Sequence, residues 1–554
     1  MINHIAPFLI AAALGWGSVV HAAPAQPNVL IIVADDMGFA DIGAFGGEIA
    51  TPNLDALAKK GVKFTSFYTA PVCSPTRSML LTGRDNHEVG LGAMAEGMAP
   101  SFRSRPGYEG VLNRRAVTLA ERLSAVGYRT LMAGKWHLGR EDSMLPSARG
   151  FQRSYAMLDG AANHFGADQD EIYTRIGEQS EYRENGRKVT YPTGRYSADY
   201  FTDRMIGFLE EEPVGQPFFA YLTFTEPHWP VQAPPETIAK YSGRYDAGPA
   251  ALRAERLERM KVLGVAPANA QVSTDPVEDW TSLSPDERAV EARKMEVYAA
   301  MVDRLDQNVG RVLDALRRRG ELENTLVIFM SDNGPDGGGY EHPMSMRAPW
   351  NPIDVPFDNS LENLGAATSV FAYGRAWSDA GDPLFRGRKG MTTEGGIRTV
   401  AFAAGAGVRG GRVEDSVLHV MDITPTVMEM TGAIQPATID GRPSLEPLGA
   451  SWASLLAGGP AVRDDQAELN WEMGYSRAAR KGRFKAVNML RRKTDEVAPL
   501  GQDSWALYDV VADPGETTDL AHMHPEVLTQ LIAQWERYAA SKGVILPPVS
   551  AARP

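Results

Sequence analysis

The sequence predicts an α/β fold in which helices flank a large, doubly wound sheet, mixed but mostly parallel, with a smaller C-terminal antiparallel α+β domain. Three observations support this prediction. Short, nearly continuous apolar runs with β-branched residues are typical of strands buried on both faces. These runs alternate with amphipathic helical patterns, as in a parallel sheet. Beyond about residue 432 the runs become short and alternate with polar residues, which indicates antiparallel strands.

The elements of the large domain follow one another in an order that places polar residues at strand ends. The predicted strands cover residues 27–34, 217–224 and 326–331, and the predicted helices cover residues 51–61, 117–126 and 295–319. In an open α/β sheet, ligands bind outside the carboxyl ends of the strands. The residues found there are Asp35, Asp36, His228, Asp332 and Asn333. The sequence therefore predicts a functional site along one edge of the sheet.

The chain divides into three predicted parts: a signal peptide (1–22), a catalytic α/β domain (28–431) and a C-terminal α+β domain (432–554). Within the catalytic part, the polar, Pro- and Glu-rich segment 231–293 is interpreted as an insertion over one edge. The last part contains three predicted short strands and a final helix, at residues 469–472, 483–487, 505–509 and 525–540.

Composition and the N-terminus limit the possible partners and location. The formal net charge of −13 argues against nucleic acid as a partner, because phosphate neutralisation needs a basic surface. The apolar run 6–20, followed by Val-His-Ala at 20–22, predicts a secretory signal and a periplasmic or secreted protein. A membrane anchor, a misassigned start codon and a cytoplasmic location remain open alternatives. No later segment is apolar enough to span a bilayer, so we expect no membrane span in the mature chain.

The chain contains a single cysteine, Cys73, so an intrachain disulfide is excluded. A lone cysteine is commonly a buried small hydrophobe, and a reactive centre is the alternative. The neighbours favour the second interpretation. Ser74 can cap a helix and Pro75 can occupy its first position, which places Arg77 in the first turn, beside the positive end of the helix dipole. Such a turn offers a pocket for an anion.

The polar residues at the strand ends combine with several cationic side chains. Each element alone has an ordinary interpretation, as a turn, a helix cap or a solvated lysine. Together, carboxylate and amide oxygens at two strand ends suit a hard cation such as Ca²⁺ or Mg²⁺. The cationic and proton-donating candidates for a multiply oxygenated anion are Arg77, Lys135, His137, His228 and Lys389. A nucleophile beside a metal and several cations indicates displacement at sulfur or phosphorus.

Two motifs carry a family resemblance. Residues 73–77, CSPTR, resemble the Cys-x-Pro-x-Arg signature of type I sulfatases, in which the cysteine is oxidised to Cα-formylglycine. Residues 127–130, GYRT, together with 134–139, GKWHLG, resemble the second sulfatase signature. The order of elements over nearly the whole mature chain is most similar to bacterial arylsulfatases of the alkaline-phosphatase superfamily. The stretches 160–164 and 241–246 also resemble that subgroup.

The resemblance implies a metal site and a division of labour. It implies that Ca²⁺, rather than Mg²⁺, binds Asp35, Asp36, Asp332 and Asn333 together with a formylglycine at position 73. One hydroxyl of the hydrated aldehyde attacks the sulfate ester, and Asp332 accepts its proton. By the same resemblance, Arg77 and Lys135 hold the hydrated aldehyde. His228 and Lys389 bind the sulfate and help to protonate the leaving phenolate. His137 then deprotonates the second hydroxyl, which expels sulfate.

The implied activity is hydrolysis of aryl sulfates to a phenol and sulfate. The implied partners are small sulfate esters and a formylglycine-generating or sulfatase-maturing enzyme. A phosphonate or phosphate ester hydrolase is the rival enzyme, because relatives share the metal site and the formylglycine. A non-catalytic protein that binds sulfated glycans is the rival of a different class. It would be expected to lose Cys73 or the acid pairs, and this chain retains both.

Overall fold

A computed structural model describes most of the chain, and the predicted signal peptide at residues 1–22 lies outside the described residues. The described residues are 26–98, 102–103, 105–169, 179–211, 213–273, 279–338, 358–439, 441–474, 476–489, 492–493, 496–497 and 505–546. Among them, no helix combines the length and the apolar character needed to cross a bilayer.

A ten-stranded sheet forms the centre of the large domain. In spatial order its strands are β11 (Arg412–Glu414), β2 (Val62–Phe64), β10 (Ala401–Gly405), β9 (Thr325–Ser331), β1 (Asn28–Ala34), β8 (Phe218–Thr223), β4 (Arg129–Lys135), β5 (Arg153–Met157), β6 (Tyr182–Glu184) and β7 (Arg187–Val189). The five neighbours from β9 to β5 pair in parallel, whereas β10 pairs antiparallel with both β9 and β2. The sheet is therefore mixed and mostly parallel, as predicted.

Both faces of the sheet are buried, which explains the continuous apolar runs. Along β1, Leu30 and Ile32 contribute to one apolar core, while Val29, Ile31 and Val33 contribute to a core on the opposite face. Successive side chains of a strand point to opposite faces, so a strand covered on both sides needs apolar residues at every position.

Helices cover both faces. The described helices are α1 (Pro52–Lys60), α2 (Cys73–Thr82), α3 (Leu119–Ala125), α4 (Ser197–Glu210), α5 (Pro235–Ile238), α6 (Pro249–Val262), α7 (Pro285–Arg318), α8 (Arg375–Gly381), α9 (Glu394–Ile397), α10 (Ile423–Thr431), α11 (Ala453–Leu456) and α12 (Pro525–Lys542). Helices α1, α4 and α7 pack on the core that contains Leu30, and α2, α3 and α10 pack on the core that contains Val29. The doubly wound arrangement is confirmed.

The largest difference from the predicted helices concerns α7. It begins at Pro285, ten residues before the predicted start at residue 295, inside the segment interpreted as an insertion. Ser284 and Glu287 form a capping box at its N-terminus. This pair is a recognisable start signal, but the first turns are too polar to display an apolar stripe.

Three short strand pairs and a second sheet complete the described strands. Short strand pairs are β3 (Phe67–Tyr68) with β12 (Leu418–His419), β13 (Thr438–Ile439) with β14 (Arg442–Pro443), and β18 (Arg492–Lys493) with β19 (Glu496–Val497). The second sheet is antiparallel, in the order β15 (Glu468–Met473), β16 (Ser476–Lys481), β17 (Phe484–Asn488) and β20 (Ala506–Asp509). Strand β16 was missing from the prediction, because Arg477, Arg480 and Lys481 obscure its apolar alternation.

The second sheet lies between α12 and the large domain. Leu531 and Trp535 of α12 pack on one face of the sheet. On the other face, Trp471 packs near Tyr68, and its indole Nε1 donates a hydrogen bond to the carbonyl oxygen of Thr69 (2.9 Å). The smaller antiparallel α+β unit is thus confirmed as architecture, and the division at residues 431 and 432 stays a prediction.

Candidate active site

The acidic residues predicted to meet at the edge of the sheet do so. Asp35 and Asp36 follow β1, and Asp332 and Asn333 follow β9, its parallel neighbour. The backbone N–H of Asp36 donates to Asp332 Oδ1 (3.3 Å), and Asn333 Nδ2 donates to Asp36 Oδ1 (2.6 Å). All four side chains are buried. Parallel register therefore gathers three carboxyl groups and an amide into one cluster.

Two cations from neighbouring elements compensate Asp332 and Asp35. Arg77 of α2 donates from Nη2 and Nε to Asp332 Oδ2 (2.7 and 3.0 Å), and its Nη2 lies 3.7 Å from Asp35 Oδ1. Lys135, the last residue of β4, donates from Nζ to Asp35 Oδ2 (2.5 Å). Arg77 Nη1 also donates to the carbonyl oxygen of Lys135 (3.0 Å). All these side chains are buried, so the hydrogen bonds fix their positions.

Lys389 and His228 approach Asp36. Lys389 Nζ lies 2.7 Å and His228 Nε2 lies 3.5 Å from Asp36 Oδ2. The other ring nitrogen of His228, Nδ1, lies 2.6 Å from the carbonyl oxygen of Trp229. Because a carbonyl oxygen only accepts, Nδ1 carries the hydrogen of the neutral ring, and Nε2 is the nitrogen that faces the cluster. Burial, followed by the charge of Lys389, lowers the pKa of His228 well below its usual value.

The pKa values of the three carboxyl groups in the cluster are shifted in different directions. Burial raises the pKa of Asp36 to about 8, with Lys389 opposing and the Asp35 charge adding to the rise. Burial also acts on Asp35, but the surrounding positive charges, Lys135 foremost, hold its pKa far below its usual range. Burial and the charge of Asp35 raise the pKa of Asp332. Burial therefore opposes the ionisation of Asp36 and Asp332 more effectively than that of Asp35.

Cys73 opens α2 beside this cluster. Its Sγ and ligand atoms of Asp35, Asp36 and His228 all lie within 4.8 Å of one another. The helix begins at Cys73 itself, with Val72 as the N-cap and no side-chain cap, so the predicted capping role of Ser74 is wrong. Pro75 is the third residue of the helix, so its predicted place as the first is wrong too. Burial raises the pKa of the Cys73 thiol, which keeps it protonated. A protonated thiol is a poor nucleophile.

His137 lies two residues beyond β4 in a left-handed conformation (φ 55°). Its Nε2 lies 3.2 Å from both carboxylate oxygens of Glu96. Burial, together with the charges of Lys135 and Arg77, lowers the pKa of His137, and Glu96 opposes that shift. Glu96 was not predictable from the sequence, because a residue in an irregular loop belongs to no periodic pattern that indicates its partner.

His164 is a second residue that received no role from the sequence analysis. Its Nε2 lies 3.0 Å from the carbonyl oxygen of His228, and its Nδ1 lies 2.7 Å from Ser197 Oγ. Glu226, which also contacts Ser197, accepts from the backbone N–H of Ala198 (2.9 Å). These buried contacts fix the backbone that carries His228.

The donor atoms fit a hard divalent cation. In the described part of the chain, one group of at least three His, Cys, Asp or Glu side chains is arranged closely enough to hold a metal ion: Asp35, Asp36, Cys73 and His228. Two buried oxygens there, Asp35 Oδ1 and Asn333 Oδ1, have no hydrogen-bond partner. Carboxylate and amide oxygens are the ligands that Ca²⁺ and Mg²⁺ prefer.

The described site thus combines a buried nucleophile position, a candidate metal centre and five cationic or imidazole side chains. The Sulfatase family model matches residues 27–433. The chain belongs to the sulfatase family. Family membership assigns it hydrolysis of sulfate esters, and sulfatases are typically metal-dependent enzymes.

Two sulfatases are similar over most of their length. An uncharacterised sulfatase of Schizosaccharomyces pombe is 43% identical over 541 residues, which cover 94% of this chain and 95% of that protein. An arylsulfatase of Klebsiella aerogenes is 36% identical over 454 residues, which cover 81% of this chain and 96% of that protein. The resemblance to arylsulfatases noted from the motifs is confirmed at the level of the family.

Solved structures confirm the fold. The PsFucS1 sulfatase from Pseudoalteromonas sp. aligns with a TM-score of 0.62 at 22% identity, covering 94% of this chain and 92% of that chain. The crystal structure of Ps i-CgsB aligns with a TM-score of 0.65 at 24% identity, covering 93% of each chain. At these identities the likeness concerns the fold alone.

Proposed function

We propose that this sulfatase hydrolyses aryl sulfate esters with a formylglycine made from Cys73 and with Ca²⁺ as its metal. The observation that carries the proposal is the position of Cys73. The only cysteine of the chain opens a helix, buried beside Asp35, Asp36 and His228, in the motif CSPTR. As a thiol it is protonated and unreactive, so conversion to a hydrated aldehyde supplies what the site otherwise lacks: a nucleophilic hydroxyl.

The proposal includes a maturation step and a location. Conversion of Cys73 requires a formylglycine-generating or sulfatase-maturing enzyme as a partner. The N-terminal apolar run supports export, so we place the mature protein in the periplasm or outside the cell.

The metal site uses Asp35, Asp36, Asp332 and Asn333 with residue 73. Ca²⁺ is preferred over Mg²⁺ because of the family resemblance. When bound, the cation draws electron density from the sulfate oxygens and offsets the carboxylate charges. The unpartnered oxygens of Asp35 and Asn333 support their assignment as ligands, and the burial of all four side chains keeps water out.

In the first step, the chain's residues hold the nucleophile and the sulfate. Arg77 and Lys135 hold the hydroxyl groups of residue 73, because both cations are fixed by buried ion pairs at that wall of the site. Asp332 accepts the proton of the attacking hydroxyl. On the Asp36 side, Lys389 and the form of His228 that is protonated on Nε2 bind the sulfate and help to protonate the departing phenolate.

In the second step, His137 accepts the proton of the remaining hydroxyl at residue 73. The bond between the carbon of residue 73 and the sulfate oxygen breaks, its electron pair leaves with sulfate, and the aldehyde carbonyl re-forms. An ordinary serine sulfate has no second hydroxyl, so it would require hydrolysis at sulfur. His137 contacts Glu96 whereas His228 lies beside Asp36, and these different partners suit two proton transfers at different stages.

Two measurements test the proposal. Peptide mass spectrometry should find residue 73 as the aldehyde, which is lighter than the thiol. Comparison of kcat/KM should favour a chromogenic aryl sulfate over the corresponding aryl phosphate diester. Sulfatase activity in protein whose residue 73 is entirely thiol would contradict the nucleophile. A higher kcat/KM for the diester would contradict the substrate and support the phosphate ester hydrolase.

A further inference from the structure

We infer that Glu96 is a positioning residue for His137. Its carboxylate holds the hydrogen of His137 on Nε2, so that Nδ1 is the atom that accepts the proton from residue 73. This inference rests on the proposed function for the role of His137, but the contact itself is independent of it. Glu96 lies 41 residues before His137 in a loop that neither sulfatase motif includes.

The geometry fixes the two ring nitrogens in different environments. Both oxygens of Glu96 lie 3.2 Å from Nε2, whereas Nδ1 is buried and has no hydrogen-bond partner. The ring packs closely against Gly160, where a Cβ atom would lie 2.9 Å from the Cε1 and Nε2 atoms of His137. The ring therefore has little freedom to turn over.

The chemistry of the pair assigns the tautomer. An ionised carboxylate only accepts hydrogen bonds, so the contact requires the hydrogen on Nε2 and leaves the lone pair on Nδ1. When Nδ1 takes the hydroxyl proton, the ring becomes a cation, and Glu96 stabilises it without taking the proton itself. Releasing that proton to water afterwards restores the neutral ring and closes the cycle.

Burial and three charged side chains act on the pKa of His137, and together they determine how that pKa changes when Glu96 is removed. Burial lowers the pKa of the ring, and Lys135 and Arg77 lower it further, while Glu96 raises it. The Glu96 side chain remains half-exposed, and the charge of His137 helps to hold its pKa below the usual value, so it stays ionised. Without the carboxylate, the pKa of His137 should fall, and the tautomer should no longer be fixed.

The test compares Glu96→Gln and Glu96→Ala with the wild-type full chain by ¹⁵N NMR of labelled histidine, with His137→Gln identifying the signal. The wild type should show hydrogen on Nε2. Glu96→Gln should keep this tautomer, because the amide oxygen still accepts, but with a lower pKa. Glu96→Ala should show a mixture of tautomers. Glu109→Gln is the matched control, since that carboxylate accepts from the backbone N–H of Gly107 in the same loop region.

Kinetics provide the second readout. In Glu96→Ala, kcat should fall about 10- to 100-fold, as for other residues that orient a functional histidine, and KM should fall with it, because His137 acts after the first step that kcat/KM reports. His137 must be neutral to act as a base, so the acidic limb of the kcat profile should move to lower pH in both Glu96 variants. A merely structural role would lower kcat without moving the limb.

Either of two results overturns the inference: an unchanged tautomer and pKa of His137 in Glu96→Ala, or an unmoved acidic limb in both variants. The NMR measurement needs no turnover. If the tautomer responds as expected while the wild type fails to hydrolyse aryl sulfates, the proposed function is wrong and the contact stands.

Discussion

A buried histidine between the two sheets should make stability fall at high pH. His87 lies just after α2, with Nδ1 3.1 Å from Asp85 and Nε2 3.2 Å from Glu472 of β15. Tyr538 of α12 donates to Asp85 Oδ2 (2.9 Å). Burial by itself would lower the pKa of His87, but the hydrogen bonds and charges of Asp85 and Glu472 raise it from 6.5 to about 9.

The size of this contribution to the free energy of unfolding follows from the shift in the pKa of His87. A rise from 6.5 to about 9 corresponds to roughly 3 kcal/mol of stabilisation, at about 1.4 kcal/mol per pKa unit. Because the folded-state pKa is raised, this stabilisation is fully present below pH 6.5 and is lost as the pH rises through about 9. His87→Gln should remove this contribution.

The assay is denaturant unfolding of the wild type and His87→Gln at about pH 6 and about pH 10. The difference in unfolding free energy between them should shrink by about 3 kcal/mol from the lower to the higher pH. His524→Gln is the matched control, because that ring is exposed. A difference between wild type and His87→Gln that is equal at both pH values would refute the reasoning.

Three further predictions concern catalysis. Cys73→Ala should fold but lose nearly all turnover, because it removes the nucleophile; wild-type sulfatase activity in this variant would falsify the assignment. Asp332→Ala should lose bound metal and activity together, since one ligand is removed and the remaining charges are rearranged; full metal content by elemental analysis would contradict it. His137→Ala should release a stoichiometric burst of phenol from a chromogenic aryl sulfate on rapid mixing and then stall with sulfate on residue 73. His228→Ala should give no burst and should slow most with poor leaving groups, and identical bursts in both variants would exclude the division of labour.

The acid pairs were predictable because their signal is local. Each pair directly follows an apolar run that is buried on both faces, and the carboxyl ends of parallel neighbours meet. The proximity of Asp35 and Asp36 to Asp332 and Asn333 could therefore be predicted without knowing how the chain between them folds. His228 was predictable for the same reason, since it follows β8, the other neighbour of β1.

Strand β4 shows why some elements of the fold and the site could not be predicted from the sequence. It is buried throughout, yet its seven residues, RTLMAGK, begin and end with a cation. Arg129 and Lys135 break the apolar pattern, and Lys135 is tolerated because it pairs with Asp35 across the sheet. Glu96 is a harder case, because its contact with His137 joins irregular backbone over 41 residues. A contact between two irregular segments leaves no repeating pattern of apolar and polar residues in the sequence.

The charges around residue 73 explain why the phosphate diester is the informative rival substrate. The cluster sets the carboxyl groups of Asp35, Asp36 and Asp332 against Arg77, Lys135 and Lys389, so the charges balance when all are ionised. A bound divalent cation then leaves two positive charges. An aryl sulfate carries one negative charge, and transfer of the hydroxyl proton to Asp332 moves a second negative charge from that carboxylate onto the reacting group as the transition state forms. The site therefore complements the transition state better than the substrate, which is the condition for catalysis.

A phosphate diester has the same charge as an aryl sulfate at every stage, whereas a dianionic phosphate monoester would exceed the available charge. Net charge can exclude the monoester but cannot separate the sulfate from the diester, so that choice must depend on the geometry with which Lys389 and His228 receive the transferred group.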